Sequence, residues 1–433
     1  MRRVVLKDTD FTQGRAGAGS DAAGSDAAGS GAGGADAEPF PVASLGRDRL
    51  DLDPVYRRLR AGGPVTRVRL PDGSSGWLVT GWAEARRVLA DPVFSRERAV
   101  GRSGAARRET FLTDMDPPEH TRVRRHAVRT FTHRRVQRLR PRVREVVAGL
   151  LDAMEAAGPP ADLVQALSLP LPIRIIGELL GVPEQDRDRF QGWSDAFLSV
   201  SAHTPEQVRE AHAALDAYLT ELIARRRAEP SGDLLSALVH ARDDLGPDAG
   251  GLSEDELVAL GVGLLVAGYE TTAGQITNLT FTLLTRRGLW ERLAALPELP
   301  PAAVEELLRY VPLGADTGMP RVATADVELG GVTVRAGETV LVARPAANRD
   351  PSAFPDPEDL VLDREDNPHL AFGHGIHHCL GAHLARLELN EALGALLRRF
   401  PSLRVAVPED ELRWKTGLSV RGLHDLPVTW TPT

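Results

Sequence analysis

The sequence has a single cysteine among its 433 residues. That excludes an intramolecular disulfide framework and fits a reducing compartment such as the cytoplasm. Long apolar runs are also missing. The longest mainly apolar stretch, residues 257–268, is too short to span a bilayer and runs into Glu270. Met1-Arg2-Arg3 is not followed by the apolar core of a secretory signal, so a soluble protein without a membrane anchor is expected. Positive charge is not in excess: the formal net charge of −8 argues against nucleic acid as a partner of the whole molecule. No internal linker separates two self-sufficient stretches. One large domain is therefore expected, with a core drawn from a hydrophobic fraction of 42%.

The one cysteine lies in Phe372-Gly373-His374-Gly375-Ile376-His377-His378-Cys379-Leu380-Gly381. Leu389, Leu393, Leu396 and Leu397 then recur at helical spacing, which predicts a helix over residues 382–399. Cys379 would stand where a loop becomes a helix N-terminus. Free backbone N–H groups and the positive end of the helix dipole gather there, and both favour a thiolate. Gly373, Gly375 and Gly381 permit tight turning and let a flat ligand approach the backbone. A thiolate held in this way suits an iron ligand. Two other readings stand beside it: a small buried hydrophobe, and a zinc site formed with His374, His377, His378 and His383.

The rest of the chain is mainly helical in pattern. Residues 1–38 form a tail rich in Gly, Ala, Ser and Asp that has little to bury and is expected to be disordered, with the ordered domain spanning 39–433. Gly17-Ala18-Gly19-Ser20-Asp21-Ala22 superficially fits a dinucleotide fingerprint, but it has no preceding strand and no following helix. Asp53-Pro54 caps a short helix, residues 65–70 and 77–80 read as a hairpin, and another helix follows over 82–90. Residues 95–110 are polar and read as a loop. His120 and Arg124 are spaced i, i+4 on the next helix. Residues 122–144 hold ten arginines and no acid, a basic stretch suited to an acidic protein partner. Around residues 193–204 the helical pattern loosens, which reads as an interhelical loop. Ser253 and Glu256 form a capping box before a long apolar helix. Gly261, Gly263, Gly268 and Gly274 are costly inside that helix, so something must approach its backbone or the helix must deform. Ala267-Gly268-Tyr269-Glu270-Thr271-Thr272 sets an acid beside an alcohol. Such a pair can relay protons through water, or the threonines can bond the preceding turn while Glu270 reaches solvent. Glu306 and Arg309 are i, i+3 neighbours on a helix that starts on Pro301 and stops before Pro312, and short strands follow Arg321.

Taken in order, these motifs resemble the cytochrome P450 family. The cysteine loop matches Phe-Gly-x-Gly-x-His-x-Cys-x-Gly at every fixed position, and residues 267–272 match the family's Ala-Gly-x-Asp/Glu-Thr-Thr. The resemblance runs from about residue 40 to the end. It implies a mainly α, prism-like fold with a small β-rich lobe, and haem b as cofactor with Cys379 as axial ligand to its iron. It implies that Phe372, Gly373, His377 and Gly381 shape that loop, and that Ala267 and Gly268 border the haem. His120, Arg124, Arg321 and His369 would meet the haem propionates. Glu270 would feed protons and Thr271 would steady oxygen and its water, while Glu306, Arg309 and Arg364 would be structural. A Leu360-Val361 pair stands where the family commonly has Phe-Asp.

The implied function is monooxygenation, a hydroxylation or epoxidation using O2. Electrons would come from NAD(P)H through an external ferredoxin and ferredoxin reductase, since the sequence shows no flavin or nicotinamide site of its own. The resemblance is to the soluble actinobacterial branch, which points to a cytoplasmic monomer that tailors a polyketide or peptide natural product. Residues 95–110, 193–204, 262–267, 313–319 and 418–419 would line the substrate pocket. A peroxide-driven haem enzyme and a non-catalytic haem-binding protein are the alternatives. Neither would need both Glu270 and Thr271.

Overall fold

The computed structural model describes residues 38–39, 50–70, 73–100, 111–245, 250–286, 288–314 and 319–431. Of the expected disordered tail 1–38, residues 1–37 lie outside these residues, as does the loop segment 101–110; Glu38, assigned to the tail by its sequence, instead pairs in a strand. Local chemistry sets the first elements. The Asp53 carboxylate accepts from the Val55 N–H at 2.8 Å and Pro54 opens the helix Pro54–Gly62. Strands Val65–Arg69 and Ser75–Val79 pair antiparallel with Val65 opposite Val79, as the hairpin pattern predicts. The second of them runs parallel to Thr339–Val342, which pairs antiparallel with Arg321–Ala323. Arg321 thus begins a strand of the six-stranded sheet, where the sequence pattern had put it just outside. Glu38–Pro39 and Phe94–Ser95 complete the edges of that sheet.

A three-stranded sheet (Arg404–Val405, Pro427–Thr429 and Ala161–Asp162) and the hairpin Val327–Leu329/Val332–Val334 stand apart from that sheet. Helices make up most of the rest, and the fold is mainly α with a small β-rich lobe, as expected. The helix Glu254–Thr285 is their axis. Ser253 and Glu256 close a reciprocal capping box at 3.1 and 2.8 Å, and Arg122 pairs with the same Glu256 carboxylate. This helix is long and apolar enough to cross a membrane, but 67% of its most apolar window is buried within the protein. It is a core helix, flanked by Pro170–Leu180, Pro205–Ala228 and Ala382–Arg399.

Two of its four glycines are explained by these neighbours. A Cβ on Gly261 would stand 2.9 Å from Leu219, and one on Gly268 would stand 2.9 Å from Ile176. The close approach expected at these positions is therefore that of packed helices.

Two further departures from the sequence pattern have local causes. Phe190–Phe197 is helical, so the loosened pattern at 193–204 becomes a true loop only after residue 197. Phe190, Trp193 and Tyr218 form an aromatic cluster with centroids 5.0–6.3 Å apart, which buries several faces of this short helix at once. At the unusual Leu360-Val361 pair both side chains are buried, and the Val361 N–H donates to Glu306 at 2.8 Å.

Candidate functional site

The cysteine loop is built by its glycines and by backbone hydrogen bonds within it. Gly373 and Gly375 have φ of 75° and 72°, a region that side chains disfavour. A Cβ on Gly375 would also stand 2.5 Å from the Leu89 carbonyl and 2.7 Å from the Ala90 Cα, so the loop lies flat on the helix Trp82–Ala90. Gly381 is different. Its φ is −84° and nothing lies within 4 Å of a Cβ built there, so turning does not require a glycine at that position. Cys379 N–H donates to the Phe372 carbonyl at 2.9 Å, which folds the loop back just before the helix Ala382–Arg399.

The Cys379 residue is accessible by surface area although protein surrounds it closely. Both hold if the surface it presents is the wall of a cleft. Burial pushes its thiol up, against the Gly381 N–H and the guanidiniums of Arg124, Arg344 and Arg386, which pull the other way. Burial wins, so the helix terminus does not favour the thiolate by itself. A bound metal would deprotonate the sulfur outright.

Around the loop stand polar groups that lack partners. His120 is 1% exposed and neither ring nitrogen has a hydrogen-bond partner; burial, then the charge of Arg124, pushes its imidazole down to about 4. The His377 ring lies 4.4 Å from that of His120, and its Nε2 is also buried and unpartnered. Arg124 donates to the His378 carbonyl at 2.6 Å. Arg321, 5% exposed, makes one long bond to the Phe94 carbonyl at 3.3 Å, and burial lowers its guanidinium to about 10. Among the described residues neither arginine forms an ion pair. Arg96, by contrast, is buried and fully committed, to Asp114 at 2.7 Å, the Thr113 carbonyl at 2.9 Å and the Pro320 carbonyl. It ties together the segments that carry His120 and Arg321. The loop reading of 95–110 missed it.

His369 does not join this group. Its Nε2 is 2.9 Å from Glu305, and its Nδ1 accepts from the Ala371 N–H at 3.2 Å. The expected propionate contact is therefore corrected: both ring nitrogens are already taken, and His369 instead braces the strand of chain leading to Phe372. The zinc alternative also lacks a ligand set, because no group of three His, Cys, Asp or Glu is placed to hold a metal among the described residues.

On the long helix, Gly263, Leu264, Ala267, Gly268 and Thr271 remain accessible while most of their neighbours are buried. An accessible stripe at helical spacing in a core helix borders a cleft. Thr271 Oγ donates to the Ala267 carbonyl at 2.6 Å. Glu270 leaves a different face and is 1% exposed, so it does not reach solvent. Its Oε1 takes a very short ion pair with Lys415 Nζ, and its Oε2 has no partner. Lys415 also lies 3.7 Å from Asp195 of the helix Phe190–Phe197. Burial pushes the Glu270 carboxyl up, while burial of Lys415 is outweighed by the two carboxylates, which raise its ammonium. Sequence reasoning missed Lys415. One signal was available: only two of the 52 Lys and Arg residues are lysines, Lys7 and Lys415.

The structural trio is assembled as expected. Arg309 Nε meets Glu306 at 2.7 Å and Arg364 Nε meets it at 3.0 Å, with Arg309 also donating to the Asn348, Pro357 and Asp359 carbonyls. The basic run is less open than its composition implies. Arg122, Arg140, Arg142 and Arg144 pair with Glu256, Glu391, Glu178 and Glu391 respectively. Arg129, Arg134, Arg135 and Arg138 are exposed, and no ion pair engages them among the described residues.

Comparison with known proteins decides what this arrangement belongs to. Residues 289–421 match the Cytochrome P450 family model. The chain is 51% identical over 387 residues to nocardicin C N-oxygenase of Nocardia uniformis subsp. tsuyamanensis, covering 88% of this chain and 96% of that protein. The chain is a cytochrome P450.

It is also 51% identical to mycinamicin IV hydroxylase/epoxidase of Micromonospora griseorubida, over 87% of this chain and 94% of that one. The crystal structure of the LnmA cytochrome P450 hydroxylase from the leinamycin pathway of Streptomyces atroolivaceus S-140 superposes with a TM-score of 0.84 at 49% identity. That match covers 91% of this P450 and 100% of LnmA. The family consists of haem-thiolate monooxygenases that use O2, an organic substrate and redox partners, and this chain is such an enzyme. The residues present fit that cofactor. A haem would bring an iron for the Cys379 sulfur and two carboxylates for Arg124 and Arg321, which no ion pair engages among the described residues, and for the unpartnered ring nitrogens of His120 and His377.

Proposed function

We propose that this P450 oxygenates a polyketide or peptide natural product, by hydroxylation or epoxidation, with its haem held by Cys379. The observation that carries the reading is the cluster of His120, Arg124, Arg321 and His377 around the cysteine loop, with no ion pair among them; the Asp116 carboxylate acts on His120 and Arg321 but is bonded to the Ser95 hydroxyl and the Arg96 N–H. Buried polar groups cost free energy unless they are satisfied. The two propionates of a bound haem would satisfy these. Gly373 and Gly375 hold the loop flat on the helix Trp82–Ala90, where it would receive the haem, and Ala267 leaves the facing helix surface small.

The haem, when bound, supplies reductive activation of O2 and transfer of one oxygen atom to the substrate. The chain supplies position and protons. Thr271 Oγ donates to Ala267 and so turns its lone pairs toward the cleft, where they accept from water. Glu270 holds a proton-accepting oxygen, Oε2, in the core. Beside it lies a cavity of about 10 Å³, room for roughly one water, lined by Thr277, Lys415 and Arg421 among others. Protons reach Glu270 through that water and the Lys415–Asp195 pair rather than from open solvent. The relatives' names support the substrate class, since one acts on nocardicin C and another on mycinamicin IV. Electrons come from NAD(P)H through a ferredoxin and its reductase, docked at the exposed arginines 129, 134, 135 and 138. The enzyme works as a cytoplasmic monomer.

The test is the difference spectrum of the reduced carbon monoxide complex. The wild type gives the thiolate-type band, and Cys379→Ser loses it. A variant spectrum identical to wild type would remove Cys379 from the iron. Turnover with peroxide and no reductant, at the rate of the reductase-driven reaction, would favour a peroxide-driven enzyme instead.

A further inference from the structure

Arg344 begins the short helix Arg344–Ala347, after the strand Thr339–Val342. Its surroundings are unusual for a cation. It is half-buried by surface area although protein packs closely around it, much as at Cys379, and it makes one long bond, from Nη1 to the Ala371 carbonyl at 3.4 Å. No carboxylate pairs with it among the described residues. Four buried arginines of this chain are paired, Arg96 with Asp114, Arg309 and Arg364 with Glu306, and Arg349 with Glu358 at 3.0 Å, whereas Arg321, beside the same loop, is not. A guanidinium so closely surrounded and left without a carboxylate is costly, so its persistence implies an anion that the protein chain does not provide.

Its position indicates which anion. Ala371 immediately precedes Phe372, so Arg344 holds the entry to the cysteine loop, while Arg124 holds its exit through the His378 carbonyl. Arg344 is close enough to Cys379 and to Arg321 to act on both electrostatically. We propose that Arg344 is a third guanidinium for the charged edge of the haem. With Arg124 and Arg321 it matches the three negative charges of a thiolate and two propionates. The inference rests on the haem reading above and deepens it. Three cations against three anions leave the loop near neutrality, and each cation also stabilises the added electron when the iron is reduced. Arg344 is thus a positioning and charge-setting residue. Its anion is a carboxylate of the cofactor, not of the substrate.

The experiment uses the substrate-free, haem-loaded enzyme and the variants Arg344→Gln and Arg344→Lys. Two quantities are read: the midpoint potential, and the rate of haem transfer to excess apomyoglobin. Arg344→Gln lowers the reduction equilibrium constant about tenfold, which is about 59 mV for one electron, and speeds haem loss several-fold. Arg344→Lys restores most of the potential, which a merely structural role would not predict. Unchanged potential and haem loss in Arg344→Gln, with the wild-type thiolate band present, overturn this inference and leave the haem assignment standing. So does an effect confined to the affinity for a carboxylate-bearing substrate, which would move Arg344 to the substrate pocket. A wild type without the thiolate band overturns the haem reading itself. If Arg344→Gln does not fold, the same two measurements on Arg344→Lys decide: near-normal potential and haem retention uphold the inference, and loss of both despite a retained charge overturns it.

Discussion

Replacing Lys415 by methionine keeps most of the side-chain volume and deletes the charge facing Glu270. That carboxylate is 1% exposed and the lysine side chain 10%, so both charges are largely removed from water. Deleting one partner of a buried ion pair leaves the other uncompensated, at a cost of about 3–5 kcal/mol. Because Lys415 keeps some solvent contact, a loss near 3 kcal/mol at pH 7.5 is expected. The reverse deletion is milder. In Glu270→Leu the ammonium still has Asp195 at 3.7 Å, so about 1–2 kcal/mol is expected. With both charges gone, Lys415→Met/Glu270→Leu should return to within about 1 kcal/mol of wild type.

The pH dependence follows from sign. Burial already raises the Glu270 carboxyl, and losing the ammonium raises it further. A carboxyl raised in the folded state loses stability as pH climbs above its ordinary value, so the Lys415→Met deficit is smallest in acid and largest near neutrality. Urea unfolding at pH 5.5 and 7.5, followed by circular dichroism and by haem absorbance, measures all four corners of the cycle. A Lys415→Met loss below about 1 kcal/mol, or a double variant additive within about 0.5 kcal/mol, would refute the claim that Lys415 holds Glu270 in the core.

Three more outcomes are expected. Thr271→Ala should retain haem and substrate binding yet divert electrons to peroxide; product formed per reductant consumed is the measurement, and full coupling would dismiss the relay. Glu388, buried with Oε2 unpartnered, has its carboxyl pushed up to about 8 by burial alone. Wild-type stability should therefore fall between about pH 4.5 and 8, by up to roughly 1.4 kcal/mol per unit, and urea midpoints across that range should flatten in Glu388→Gln. Charge reversal at Arg134, Arg135 and Arg138 should slow electron transfer and weaken its dependence on salt. A rate indifferent to both would make them a solvated face.

The parts that could be read from sequence were those whose partners are near in the chain. The capping box of Ser253 and Glu256 spans three residues, and so does the Glu306–Arg309 pair. The positive φ of Gly373 and Gly375 follows from residue type within one loop. What escaped depends on distant partners. His369 looks free until Glu305, 64 residues away, comes against its ring, and Glu270 looks solvent-bound until Lys415 arrives from 145 residues away. Close approach holds at Gly261 and Gly268 of the long helix but not at Gly263, where a Cβ would meet nothing nearer than 3.9 Å. Only packing could show that Leu219 and Ile176 make the approach. The arginine run looked like one basic face because its acids, Glu256, Glu178 and Glu391, come from other helices.

The scarcity of lysine gives the buried pair a practical use. Lys7 and Lys415 are the only side-chain amines in the chain, and Lys415 is the only one within the described residues. While Glu270 and Asp195 hold it protonated, its amine is a poor nucleophile. Each opening of the pair that releases a neutral amine exposes a group that an acylating reagent can trap. Labelling at this single residue, counted by mass spectrometry, would time the separation of the helix Phe190–Phe197 from the core without any introduced probe.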